Sequence, residues 1–138
     1  MSTSKLEFEY DYDFFLIGIY CHHRDYRLAW SLNRHLGLDL KKDNDYKLKS
    51  GEEFQYFPLY TFFVESQDLY YYLVGNRGEN GWLIPEKKDV DYFLIVEGLF
   101  ERSKKEILTQ GIAKLKEVLT AVEIDPESLN SRQNLLME

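Results

Sequence analysis

The chain predicts an α+β fold: a two-layer sandwich in which a mainly antiparallel sheet of about five strands carries two amphipathic helices. Three observations predict it. Apolar runs of strand length, rich in aromatic and β-branched residues, recur as "FFLIGIY", "LYTFFV", "LYYYLVG" and "YFLIVEG". Apolar positions recur at helical spacing twice, after Asp25 and after Phe100. The order strand, helix, several strands, helix lets both helices cover one face of a sheet. The 138 residues suit a single domain, here 1–124, with a polar and flexible tail at 125–138.

The elements follow in order. Leu6, Phe8, Tyr10 and Tyr12 alternate with acids, the period of a strand with one wet face. From Phe14 to Tyr20 the run is continuously apolar, as in a central strand covered on both faces. Asp25 is the expected N-cap of the first helix. Leu28, Leu32 and Leu36 form its stripe, and Gly37 ends it. A short strand is expected around Tyr46 to Leu48. Leu59 to Glu65 and Leu69 to Val74, joined by Ser66-Gln67-Asp68, read as an antiparallel hairpin. "GNRGEN" reads as a hairpin loop, and Trp82-Leu83-Ile84 as a short strand stopped by Pro85. The last strand begins at Asp91.

The second helix is expected from Phe100 to Val122. Its stripe would be Ile107, Leu108, Ile112, Leu115, Leu119 and Val122, with Lys104, Lys105, Lys114, Lys116 and Glu117 on the wet side. Gly111, beside the stripe, would permit close approach to the sheet.

Charge and cysteine usage narrow the function classes. A formal net charge of -7 disfavours nucleic acid and anionic membrane surfaces, which are bound through Lys and Arg. Cys21 is the sole cysteine, so no internal disulfide forms. The acidic start differs from a secretory signal, and "FFLIGIYC" is too short to span a bilayer. The expected location is the cytoplasm.

Ile84-Pro85-Glu86, three intervening positions and Val90-Asp91-Tyr92 resemble the signature of the bacterial IPExxxVDY family. "YDFFLIGIY" with "RDYRLAWSLNRHLGLDL", and "DYFLIVEG" with the helix after it, extend the resemblance over roughly the first 120 residues. The family is named for its motif, so the resemblance implies no catalytic or ligand-binding residues.

Glu86 and Asp91 could act as acid and base or hold a hard cation. The simpler reading is turn chemistry: Pro85 stops a strand, Asp91 bonds a backbone N–H, and Tyr92 buries its ring with its hydroxyl at the sheet end. Cys21, His22, His23 and Asp25 look like metal ligands in composition. Neighbours on an extended segment point to opposite faces, however, so no metal and no cofactor is expected. Cys21 reads as a packed thiol. Arg24 or Arg27 could pair with Asp91, and Asn33 has two placements open, facing the sheet or facing solvent.

With no catalytic constellation and many sheet tyrosines, the sequence points to a non-enzymatic interaction module with an unidentified protein partner. The alternative is a small-molecule-binding protein or enzyme with a pocket between the first helix and the sheet. Trp30, Asn33, Asp91 and Tyr92 would line it.

Overall fold

The structure, a computed structural model, describes residues 14–137. The alternating stretch from Leu6 to Tyr12 lies outside the described residues. The elements are β1 (Phe14–Tyr20), α1 (Asp25–Leu36), β2 (Lys41–Lys42), β3 (Tyr46–Ser50), β4 (Glu53–Phe57), β5 (Leu59–Val64), β6 (Leu69–Gly75), β7 (Tyr92–Glu97), α2 (Arg102–Ala113) and β8 (Thr120–Ile124). Among the described residues, six strands form one sheet in the order β2-β5-β6-β7-β1-β8, and β3 and β4 form a separate hairpin. All of the pairings are antiparallel. The α+β class and the antiparallel sheet match the sequence expectation, and so does the β5–β6 hairpin. Its turn spans Glu65–Gln67 and closes at Asp68, which takes φ 54°.

Strand alternation splits the sheet into two apolar faces. On one, Phe15, Ile17, Ile19, Leu73, Leu94 and Val96 are buried against Leu28, Ala29 and Leu32 of α1 and Ile112 of α2. Each such Leu or Ile contributes about 1.5–3 kcal/mol of transfer free energy when fully buried. On the other face, Leu16, Val74, Phe93 and Ile95 are covered by Phe57, Leu83, Ile84, Val90, Leu129, Leu135 and Met137. The sheet is thus central, with helices on one side and the β3–β4 hairpin and irregular chain on the other. Gly18 of β1 is closely overlaid on this second face: an added Cβ would lie 2.7 Å from Cδ1 of Ile124 on the neighbouring β8 and 3.4 Å from Val90, so the Ile124 side chain would have to shift.

Several expectations are corrected. Residues 125–137 do not form a loose tail. They turn twice, at Pro126–Ser128 and Arg132–Leu135, and bury Leu129, Leu135 and Met137 in the second core. The second helix ends at Ala113, and the chain then returns as β8 beside β1. Leu119 and Val122, assigned to a helical stripe, are 63% and 41% exposed, whereas Glu117, assigned to the wet side, is buried. Gly111 permits approach to α1 rather than to the sheet, since its added Cβ would lie 3.1 Å from Leu36.

Trp82-Leu83-Ile84 is not a strand. It makes one bridge, Arg77 to Trp82, before a 3-10 turn at Pro85–Lys87. Arg24, not Asp25, is the N-cap residue of α1, and it makes no side-chain cap; Gly37 closes the helix at φ 71° as expected. Among the described residues, no helix is long and apolar enough to cross a membrane.

Candidate functional site

The motif segment folds around one side chain, that of Asn76. Its amide donates to the carbonyls of Lys87 and Val90, both at 2.8 Å, and its Oδ1 accepts from the Ile84 N–H at 2.8 Å. Its backbone N–H donates to the Asp91 carbonyl at 2.9 Å, and its own carbonyl accepts from the Leu83 N–H at 2.7 Å. Fully buried, Asn76 therefore ties β6 to both halves of the motif. A buried polar group must be satisfied in this way or lose stability.

The motif acids face backbone rather than each other. Glu86 accepts from the Ser131 N–H at 2.8 Å and hydroxyl at 2.9 Å, which clamps the C-terminal segment. Burial works upward on its carboxyl, but the hydrogen bonds from Ser131, together with the backbone N–H groups of Glu86 and Asn130, outweigh it and hold Glu86 below the usual carboxylate range. Asp91 accepts from the Cys21 N–H at 2.8 Å. Tyr92 donates its hydroxyl to the His23 carbonyl at 2.6 Å, and burial pushes that hydroxyl well above its ordinary value. Together Asp91 and Tyr92 fix the turn that carries β1 into α1.

That turn borders an open cleft of about 660 Å³, lined among others by Cys21, His23, Arg24, Arg77, Asp91 and Tyr92. Its chemistry is quiet. Burial pushes the Cys21 thiol up, away from the thiolate a nucleophile needs. No group of three potential metal ligands gathers among the described residues. Asp25, also on the lining, accepts from the Tyr60 hydroxyl at 2.9 Å. Burial first, and the Asp25 carboxylate second, push that tyrosine up to about 12.

Next to the cleft runs the outer face of α1. Trp30 is 47% exposed, yet it is held from two sides. The Arg27 guanidinium lies 4.5 Å from its ring centroid, and His35 meets it edge-on at 6.1 Å. Arg27 is itself anchored by Glu117 at 3.0 Å, and Glu117 accepts from the Ser31 hydroxyl at 2.7 Å. The Ser31 bond, opposed by burial and aided by Arg27, holds Glu117 below the usual carboxylate range. Tyr26, one turn before Trp30, is exposed with Arg24 5.9 Å from its ring. Residues 22–36 carry three arginines, one aspartate and all three histidines of a chain whose net charge is -7.

The structure therefore separates the four residues predicted to share a pocket. Asp91 and Tyr92 line the cleft, whereas Trp30 and Asn33 do not. Asn33 is consumed internally: its amide donates to the Leu40 carbonyl at 3.0 Å and its Oδ1 accepts from the Leu40 N–H at 2.8 Å. Neither Arg24 nor Arg27 pairs with Asp91, since Arg27 pairs with Glu117. Sequence reasoning missed Asn76, Ser31 and Glu117. Only Asn76 carried a local signal, a polar side chain directly after an apolar strand. Comparison of the chain with protein-family models, with curated proteins and with solved structures found no match.

Proposed function

We propose that the protein is a non-enzymatic interaction module that binds a protein partner on the outer face of α1. The observation that carries this reading is Trp30, exposed but fixed by Arg27 and His35, with Arg27 fixed in turn by buried Glu117. Binding costs conformational entropy, and an aromatic already held in place loses less of it. Trp, Tyr and Arg dominate the energetic centres of interfaces, and all three occur on this face. Arg27 is already paired with Glu117, and Arg24 and Arg34 set against Asp25 leave a slight positive excess that favours an acidic partner surface. Kinship with the IPExxxVDY family and a bacterial cytoplasmic setting belong to the same proposal, and rest on the motif residues and on composition.

The test is affinity capture from a native cell extract with the purified protein, comparing wild type with Trp30→Ala. A specific protein retained by wild type and at least about tenfold depleted with Trp30→Ala is expected, matching loss of an interface centre of about 1.4 kcal/mol or more. Equal retention by both, or no specific protein under any condition, counts against it. The cleft beside Asp91 and Tyr92 favours a second reading, small-molecule binding. A metabolite that raises the unfolding temperature of wild type but not of Tyr92→Phe would move the assignment there.

A further inference from the structure

The two edges of the main sheet differ in kind. One ends in β2, two residues long, whose Lys41 and Lys42 are both exposed. A short edge strand made of lysines is a common guard against strand addition. The other ends in β8, Thr-Ala-Val-Glu-Ile, with no lysine and no proline. Among the described residues, no strand pairs with its outer side. Leu119 and Val122, 63% and 41% exposed, stand along this edge, where Glu123 is the single charge of the strand.

We infer that β8 pairs with β8 of a second copy, antiparallel and centred on Val122, joining two sheets into one. The sequence of the strand is suited to its own reverse. A two-fold axis at Val122 sets Val122 against Val122, Thr120 against Ile124 and Ala121 against Glu123. No like charges are directly opposed, and the central pair is β-branched, a residue type favoured in strands. The two Glu123 carboxylates come only diagonally near one another. Each is already engaged by its own Arg102 through bonds of 2.7 and 3.0 Å, which hold it below the usual carboxylate range.

The register also keeps the two faces of the sheet in order. In β8, Ala121 belongs to the core under the helices and Ile124 to the core on the opposite side. A two-fold axis perpendicular to the sheet preserves that assignment in both copies, so each α2 lies on the same side of the joined sheet. This pairing uses no residue of the outer face of α1 and stands apart from the function proposed for it.

Sedimentation over a concentration series tests the inference with wild type, Val122→Lys, Val122→Glu and an equal mixture of the two variants. Wild type is expected to dimerise. Each variant alone, with like charges meeting at the axis, is expected to be monomeric while keeping its circular dichroism. The mixture is expected to regain dimer. A wild type that stays monomeric at high micromolar concentration overturns the inference, and so does a Val122→Lys dimer as stable as wild type. Should the variants fail to fold, amide exchange in the wild type decides. Protection at residues 120–124 must rise with protein concentration, and concentration-independent protection overturns the pairing.

Discussion

A single buried side chain, Asn76, holds the most distinctive stretch of the sequence in shape. Asn76→Ala leaves the buried Ile84 N–H and Val90 carbonyl without their side-chain partner, whereas the Lys87 carbonyl keeps the Val90 N–H. Unsatisfied buried groups cost about 1–3 kcal/mol each, reduced where the loop relaxes, so a total loss of about 3 kcal/mol is expected. The urea midpoint should fall with an unchanged slope. A shift below about 0.5 kcal/mol, within the usual range of surface substitutions, would mean that the loop does not depend on this residue. At this scale the sequence was partly legible. Asp91 as a backbone acceptor and Tyr92 with its hydroxyl at the sheet end follow from turn chemistry, and both are seen. The role of Asn76 was hidden because "GNRGEN" has the composition of an exposed loop. Its place directly after an apolar strand is a faint signal, but its burial depends on residues 83–91 folding back over it.

Between elements, carboxylates act as the connecting pieces. Glu86 joins the motif turn to Ser131, Glu117 joins the chain after α2 to α1, and Glu123 joins β8 to Arg102 of α2. All three are held below the usual range in the folded state. A group depressed on folding adds stability that is fully present above its unfolded pKa, about 4.3 for Glu, and is lost as pH falls through the folded value. The urea midpoint is therefore expected to be steady near neutrality and to fall from about pH 5 downward. In Glu117→Gln the fall should be shallower. A midpoint flat between about pH 6 and pH 3 would refute a stabilising role for these contacts. Element boundaries were least legible where two periods coincide. Leu115, Leu119 and Val122 satisfy helical spacing, but Thr120 to Ile124 also alternates as a strand does. Pairing with β1 decides between them.

For the molecule as a whole, class and antiparallel character were legible because each rests on local periodicity. The second core was not: Leu129, Leu135 and Met137 are scattered among polar residues without a period. Nor was the strand order, since β1 lies between β7 and β8, both from the far part of the chain. That placement has a consequence in time. β5 and β6 meet across the four residues 65–68, whereas Phe14 must find Glu97, and Leu16 must find Ile124. Closing such long loops costs entropy before any contact repays it, so the local pairs are expected to form first. Pulse-labelled hydrogen exchange during refolding should find the amides of Tyr71 and Leu73 protected earlier than those of Ile17 and Ile19. Simultaneous protection would point to one concerted step. On the ribosome β1 would otherwise wait, without β7 and β8, until much of the later chain had been made.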